Sequence, residues 1–260
     1  MTIVRGATLA IRGVIFDLGS TLMVFDGDWA DVVSQGAAAM ASFFTRKRVK
    51  LDEAALAETF IAERRAGREV ADRTQYEVRC AASLRAALEK VKAPPGSFAL
   101  IPEAVRVYFR PEEAAWRVYP DAKATLKYLC QQNYRLGLLS NATDDPFVQR
   151  LVNRLGLRPW LSPTFSSAGL GPRKPLREPF DLILSRWNLP PESVVMVGDT
   201  LSHDILGAHN AGMRGVLITA DEPKSNDDHR ETIVPDATIA SLSELPALLE
   251  RWEITRNCDV

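Results

Sequence analysis

The stretch GVIFDLGST, residues 13–21, decides the fold of this chain. Its first four residues carry no polar side chain, and the run then ends in the carboxylate of Asp17. An apolar run without polar alternation is typical of a strand buried on both faces of a parallel sheet. Ligands bind beyond the carboxyl ends of such strands. We therefore predict a buried first strand that places Asp17 at the ligand-binding edge.

Further apolar runs and helical patterns alternate along the second half of the chain. Strands are predicted over 134–140 (YRLGLLS), 194–199 (VVMVGD) and 214–220 (RGVLITA), with a short candidate over 164–168. Helices are predicted over 122–132, 146–155, 178–188 and 204–211. Strands that alternate with helices indicate an α/β fold with a doubly wound, mainly parallel sheet.

The region from about Gly27 to Ala115 has a different character. It is rich in Ala, Glu, Arg and Leu, and its apolar residues recur at helical spacing. It predicts three or four helices and no strand, inserted after the first strand as a cap. The predicted division is a core domain over 1–24 and 116–260 and a helical cap domain over 25–115. The run 221–228 (DEPKSNDD) is predicted to be a solvated loop.

Composition excludes several classes of protein. The chain has 260 residues, a formal net charge of −1 and no strongly basic segment, which argues against a duplex nucleic-acid binder. It has no apolar run of the length that spans a membrane, and no segment resembling a signal peptide. The three cysteines, Cys80, Cys130 and Cys258, fit no metal-ligand spacing and are expected to be reduced thiols. A soluble cytoplasmic protein is therefore expected.

Polar residues follow several of the predicted strands. Asp17 follows the first, Ser140 ends the second, and Asp199 ends the run over 194–199, with Asp204 five residues later. Lys174 lies in a Gly/Pro-rich loop between them. Carboxylates with few other ligands suit Mg²⁺, which also takes phosphate oxygens and water. A lysine and a hydroxyl suit the remaining phosphate oxygens.

These segments resemble the four motifs of the haloacid dehalogenase superfamily, and they occur in the family's order. The motifs are DLGST over 17–21, Ser140-Asn141, Lys174-Pro175 with Phe180 downstream, and GDTLSHD over 198–204. The tail over 235–246 is also similar to the family's closing segment. The resemblance covers the chain except the cap, where only position and helical character match. It implies a hydrolase with the superfamily's Rossmann-like core.

The resemblance also implies roles for individual residues. Asp17 is the nucleophile that forms an aspartyl-phosphate. Mg²⁺ is held by Asp17, the backbone carbonyl of Gly19 and Asp199. Asp204 is a further ligand, directly or through water, or it orients Lys174. Phosphoryl oxygens are bound by the second and third motifs, and the residues expected to contact substrate are Thr21, Ser140, Asn141 and Lys174.

The chain departs from the family's phosphatases at Gly19, where they usually carry an aspartate that acts as general acid and base. Losing that group costs about 10²–10⁴-fold in rate. Asp26, Asp28, a cap residue or water are the open alternatives for supplying the proton. A phosphatase of a small phosphorylated metabolite is the leading interpretation. The alternatives are a haloacid dehalogenase, which also lacks this acidic residue and needs no metal, and a weakly active member that acts as a binding protein.

Several side chains have both a functional and a structural interpretation. The cap arginines Arg64, Arg65 and Arg68 are either an anion site or a solvated helix face. His203 is expected to be a partly exposed loop residue, and three aromatic residues either line the pocket or pack the cap against the core: Phe25, Trp29 and Tyr76. The sequence names neither the substrate nor the oligomeric state.

Overall fold

The computed structural model describes residues 10–258, and for residues 254–258 it describes the backbone alone. The start of the predicted core domain and the side chain of Cys258 therefore lie outside the described part. The strands are β1 (Gly13–Phe16), β2 (Met23–Phe25), β3 (Trp116–Val118), β4 (Arg135–Ser140), β5 (Thr164–Ser166), β6 (Val194–Gly198), β7 (Arg214–Ile218) and β8 (Ala237–Ile239).

The helices fall into two groups along the chain. Those between β2 and β3 are α1 (Trp29–Arg46), α2 (Glu53–Thr74), α3 (Cys80–Lys90), α4 (Ile101–Tyr108) and α5 (Arg110–Ala115). Those that follow are α6 (Ala122–Gln131), α7 (Asp145–Arg154), α8 (Ser167–Leu170), α9 (Glu178–Trp187), α10 (Leu206–Asn210) and α11 (Leu245–Cys258). Among the described helices, none is long and apolar enough to cross a bilayer.

Six strands form one parallel sheet in the order β5-β4-β1-β6-β7-β8. The chain leaves β1 toward β4 on one side and later returns to β6 on the other. The direction of winding therefore reverses at β1, and a doubly wound sheet binds ligands at this kind of switch point. The predicted α/β fold with a mainly parallel sheet is confirmed.

The strands predicted from apolar runs match β1, β4, β5, β6 and β7 to within two residues at each end. Three short strands were not predicted. β2 and β3 form an antiparallel pair with Phe25 opposite Trp116, and β8 adds the last strand of the sheet. In β2, β3 and β8, three residues are too few positions for a periodic signal to stand out from the flanking sequence. Pairing with a neighbouring strand stabilises them.

The segment between β2 and β3 is a block of five α-helices, where three or four were predicted. One additional break follows α2, where Gln75 takes the left-handed conformation, and another precedes α5, where Pro111 lies in the first turn. No strand is described between residues 29 and 115, as predicted. The helical block is the feature expected of a cap, and its exact domain boundaries stay a prediction.

One apolar cluster runs from the sheet into this helical block. Phe16 and Leu22 from the first strand region and Phe44 and Phe60 from the block are all fully buried in it. Fully burying one such side chain stabilises the fold by about 1.5–3 kcal/mol. The helical block therefore shares its hydrophobic core with one face of the sheet.

The helical block also contacts the core domain at a second place, which we call the latch: residues 72–80 against residues 167–173. The backbone N–H of Glu77 donates to the carbonyl of Gly171 at 2.7 Å, and that of Arg173 donates to Gln75 at 2.9 Å. The Arg173 guanidinium pairs with Asp72 at 3.0 Å and with Glu77 at 3.5 Å. The latch ends one residue before Lys174.

Candidate active site

Three polar side chains predicted to form a site meet at the carboxyl edge of the sheet. In the register, Phe16 lies beside Leu138 of β4 and Val197 of β6. The polar residues that end or follow these strands, Asp17, Ser140 and Asp199, therefore come to one edge. All three line a cavity of about 720 Å³ that is bounded on its other side by the helical block.

Lys174 is the centre of the charged group in this cavity. Its Nζ donates to Asp17 Oδ1 at 2.5 Å and to Asp204 Oδ1 at 2.6 Å, although its side chain is only 2% exposed. The other oxygen of Asp204 accepts from the backbone N–H of Thr200 at 3.0 Å. Asn141 holds the lysine's backbone, accepting from its N–H at 3.0 Å and donating to its carbonyl at 2.9 Å.

Three buried carboxylates lie in this cavity with one ammonium group, which contacts two of them. Burial raises the pKa of Asp199 to about 8, and the charges of Asp17 and Asp204 act in the same direction. Burial also raises the pKa of Asp17, to about 6, although Lys174 opposes the rise. For Lys174, burial lowers the pKa, but the two carboxylates outweigh it and the pKa is raised. The site therefore has an excess of negative charge that a cation would relieve.

The donor set fits a hard cation. Asp17 and Asp199 both line the cavity and are each 8% exposed, and Gly19 lines it beside them. In residues 10–258, no group of three or more His, Cys, Asp or Glu side chains is placed to hold a metal ion. Mg²⁺ is commonly bound by one or two carboxylates together with substrate phosphate and water. Both oxygens of Asp204 are already hydrogen bonded, so its contacts favour orienting Lys174, and direct coordination by Asp204 stays a prediction.

An indole occupies the space beside Gly19. A Cβ added at Gly19 would lie 3.3 Å from the Cη2 atom of Trp116. Trp116 packs edge-on against Phe25 and Trp29, which are stacked with their ring centroids 3.9 Å apart. The side chain that family phosphatases place at this position would therefore meet an aromatic wall. The wall was not predicted, because Trp116 is 97 residues away from Gly19 in the chain.

Thr21 does not reach the cavity. Its side chain is fully buried, and its hydroxyl has no hydrogen-bond partner among the described residues. The turn after Gly19, in which the N–H groups of Leu22 and Met23 both donate to the carbonyl of Leu18, directs Thr21 into the interior. The substrate contact predicted for Thr21 is therefore not supported by its position.

Asn226 is a residue of the site region that the sequence did not reveal. The run 221–228 was predicted to be a solvated loop, but Asn226 is fully buried. Its amide donates to the carbonyl of Asp199 at 2.7 Å and accepts from the N–H of Leu201 at 2.8 Å. The loop prediction is wrong at this residue, because the amide satisfies the backbone groups that follow β6. No local pattern could have indicated a contact with residues so distant in sequence.

The other candidate side chains divide between cavity and surface. Trp29 lines the cavity, whereas Tyr76 is 52% exposed and does not. His203 is half-buried and lines the cavity, and burial lowers its pKa. Two further rings that line the cavity, Tyr108 and Phe109, come from the end of α4. The cavity is therefore acidic at the strand ends and aromatic beneath the helical block.

The model of the haloacid dehalogenase-like hydrolase family matches residues 11–212. This chain belongs to that family. The match covers β1 through α10, and so includes all four motifs and the helical block. The resemblance inferred from the motifs is thereby confirmed.

Relatives of this family member include enzymes named as phosphatases. It is 34% identical over 143 residues to glyceraldehyde 3-phosphate phosphatase of Methanothermobacter thermautotrophicus, covering 55% of this chain and 63% of that protein. It is 32% identical over 148 residues to ribulose-1,5-bisphosphate 5-phosphatase of Halopiger xanaduensis, covering 53% and 62%. The chain thus spans less than two thirds of the length of these curated relatives.

Solved structures of family members share the whole architecture. A 2-haloacid dehalogenase from Pseudomonas syringae superposes with a TM-score of 0.69 at 28% identity, covering 93% of this chain and 99% of that one. A HAD phosphatase from Thermococcus onnurineus superposes with a TM-score of 0.62 at 20% identity, covering 92% and 98%. Both a dehalogenase and a phosphatase therefore resemble this fold closely.

Proposed function

We propose that this family member is a magnesium-dependent phosphatase of small phosphorylated metabolites, with Asp17 as nucleophile. The observation that carries the proposal is the contact of Lys174 Nζ with both Asp17 and Asp204 at the rim of the cavity that Ser140 and Asp199 also line. A fixed cation beside the nucleophile keeps Asp17 ionised and compensates charge on the phosphoryl group. The two phosphatase relatives support the same reaction class.

In this proposal each residue has one task. A carboxylate oxygen of Asp17 attacks phosphorus, the P–O bond to the substrate breaks, and the leaving alkoxide takes its proton from water, because Gly19 has no acidic side chain. Water then hydrolyses the aspartyl-phosphate, which releases inorganic phosphate and restores Asp17. Ser140 and Lys174 bind phosphoryl oxygens, while Asn141 holds the backbone of Lys174.

Mg²⁺ is the proposed cofactor. Asp17, Asp199 and the backbone carbonyl of Gly19 would hold it, and when bound it would neutralise charge on the phosphoryl oxygens. The excess of buried carboxylates over ammonium groups supports this assignment. We also propose a cytoplasmic location, with which the free thiols of Cys80 and Cys130 agree.

The dehalogenase alternative rests on a specific observation. Residue 19 is glycine, so the site lacks the acidic residue expected of a phosphatase, and Trp116 makes the space beside it aromatic. Against it, three carboxylates around one lysine are more negative charge than attack on carbon requires, and Asp199 has no role without a cation. The phosphatase is therefore the function that the site supports best.

The deciding experiment is a panel of phosphate esters and 2-halo-acids, each assayed with Mg²⁺ and after treatment with EDTA. Phosphate release that depends on Mg²⁺ and is fastest with aryl phosphates is the expected result. Halide release that continues in EDTA, with no phosphate release, would establish the dehalogenase instead. Release of neither product would leave a binding protein as the remaining interpretation.

A further inference from the structure

The part of the cavity that the helical block lines carries two cationic side chains, Arg64 and Arg68. They are four residues apart on α2, so they project from the same face of the helix. Both line the cavity together with Asp17 and Lys174. Arg65, the neighbour of Arg64, is exposed and does not line it. Two of the three cap arginines therefore face the cavity, and the third faces solvent.

The guanidinium of Arg64 packs against two rings and the Cys80 thiol, and no carboxylate of the described residues contacts it. Its Cζ lies 5.2 Å from the ring centroid of Tyr108 and 5.6 Å from that of Phe109. Nη1 is buried and makes no hydrogen bond within the described part of the chain. Neither Arg64 nor Arg68 has a carboxylate within 4 Å among the residues described. A buried guanidinium without such a partner is costly.

The polar groups around Arg64 do not supply a full negative charge. Burial raises the pKa of the Cys80 thiol to about 11 and that of the Tyr108 hydroxyl to about 12, so both are neutral near pH 7. Burial raises the pKa of Glu112 to about 7, although Arg64 opposes the rise, so Glu112 is only partly ionised there. Its carboxylate also accepts a long hydrogen bond, 3.5 Å, from Trp116 Nε1. Glu77 and Asp144 lie within electrostatic range of Arg64 but form no ion pair with it, so the guanidinium still has no anion in direct contact within the part of the chain that the structure describes.

We propose that Arg64 and Arg68 form a second anion site, and that the substrates are phosphate monoesters with another anionic group, a carboxylate or a second phosphate, at the far end. This inference rests on the proposed function, in which Lys174 and Ser140 bind the phosphoryl group that is transferred. A cavity of about 720 Å³ has room for both ends of a compact metabolite. The second anion would receive charge-assisted hydrogen bonds from a guanidinium already oriented by two rings.

The test compares three ligands with the same three-carbon chain. Each carries one terminal phosphate, and the other end is a carboxylate (3-phosphoglycerate), a second phosphate (1,3-propanediol bisphosphate) or an uncharged CH₂OH group (glycerol 3-phosphate). Binding is measured by calorimetry with Asp17→Asn protein and with EDTA-treated unmodified protein, so that no turnover is needed. Hydrolysis of p-nitrophenyl phosphate, which has no second anion, is measured separately on the unmodified protein with Mg²⁺.

We expect at least one doubly anionic ligand to bind about 10- to 100-fold more tightly than glycerol 3-phosphate, the gain of one hydrogen bond between charged groups. Which of the two does so identifies the second group. Arg64→Met should reduce this preference to less than about threefold, and Arg68→Met should reduce it in part. Arg65→Met, the control on the same helix, should keep it.

Equal affinity for all three ligands would overturn the second anion site, as would a preference that survives in both Arg64→Met and Arg68→Met. Each result is a ratio of two dissociation constants, that of glycerol 3-phosphate and that of a doubly anionic ligand. The first comparison uses the unmodified protein, so it does not depend on whether any variant folds. Failure of the proposed function has a different signature. In that case p-nitrophenyl phosphate is not hydrolysed, although the preference for doubly anionic ligands persists.

Discussion

The two sides of the cavity are built from different kinds of contact. The floor consists of polar side chains at the strand ends: Asp17, Ser140, Lys174, Asp199 and Asp204. Its centre is joined by short hydrogen bonds from the Lys174 ammonium to the carboxylates of Asp17 and Asp204. The roof, which consists of Trp29, Arg64, Arg68, Tyr108, Phe109, Glu112 and Trp116, is held by ring packing, and its buried arginine has no ionic partner.

This difference indicates that the floor carries out the reaction, whereas the roof selects the substrate. The floor is arranged before any substrate arrives, because Lys174 already contacts two carboxylates and its backbone is held at both ends by Asn141. Groups that are oriented in advance stabilise a transition state without reorganisation. The roof leaves charge and aromatic surface for a ligand to satisfy. Substitutions in the floor should therefore lower the rate of hydrolysis of every substrate, whereas substitutions in the roof should lower it for only some of them.

The largest effect is expected for Asp17→Asn. An amide is a poor nucleophile, so the rate of phosphate release should fall at least about 10⁴-fold for every ester, with the thermal unfolding midpoint little changed. Steady-state rates with aryl and alkyl phosphates and a melting curve measure both. Asp31→Asn, an exposed aspartate that does not line the cavity, is the matched control and should keep its activity. Turnover by Asp17→Asn close to that of the unmodified protein would contradict the mechanism.

Lys174→Met should be the next most severe change. It removes the ammonium group between Asp17 and Asp204 and leaves two buried carboxylates unpaired, so we expect a loss of about 10²–10³-fold in kcat for all esters. The same substitution should also lower the free energy of unfolding by about 3 kcal/mol. Chemical denaturation measures the second effect. If the substitution lowered kcat for only some of the esters, Lys174 would contribute to the choice of substrate, as we expect of the roof residues.

Gly19 is the point where floor and roof meet. Gly19→Asp alone should change the ratio of alkyl to aryl phosphate rates by less than about threefold, because its side chain meets the Trp116 indole. Combined with Trp116→Leu, the same change should raise the ratio about 10²-fold, since an added acid assists poor leaving groups most. The Trp116→Leu single variant is the control. A large rise with Gly19→Asp alone would mean that the indole moves aside in solution.

Asn226→Ala tests how the floor is supported from outside the motifs. Without the amide, the carbonyl of Asp199 and the N–H of Leu201 lose their partners, so Asp199 should be less well placed. The Mg²⁺ concentration for half-maximal activity should rise about tenfold, as for a lost outer-shell contact of a metal site. A titration with Mg²⁺ measures this, and Asp228→Ala, at an exposed position of the same loop outside the cavity, is the control. An unchanged titration would show that Asn226 only stabilises the fold.

The smallest effect is expected at the latch. Arg173→Met removes an ion pair with the exposed Asp72, which contributes little, and one with the buried Glu77, so the free energy of unfolding should fall by about 1–3 kcal/mol. Amide hydrogen exchange over residues 75–80 should become faster, while exchange in β1 should not change. Arg177→Met, which breaks an exposed pair with Asp181, is the control. Faster exchange throughout β1 would indicate that floor and roof unfold as one unit.

The floor could be predicted from the sequence because each of its residues sits in a local pattern. Apolar runs locate strands, and the residue at the end of a buried parallel strand is brought to the ligand-binding edge by the geometry of the sheet. Asp17, Ser140 and Asp199 were found in this way, and Lys174 and Asp204 from the order of the motifs. The helical character of the segment between β2 and β3 followed from its spacing of apolar residues.

The roof and the supports of the floor were decided by tertiary structure alone. Trp116 beside Gly19, Asn226 beneath Asp199 and the latch at Arg173 join residues that are far apart in the chain and carry no periodic signal. The same holds for the arginines of α2, because helical spacing places Arg64 and Arg68 on one face but does not say what that face meets. Local pattern determines which residues share an edge or a face, whereas packing between elements determines what lies opposite them.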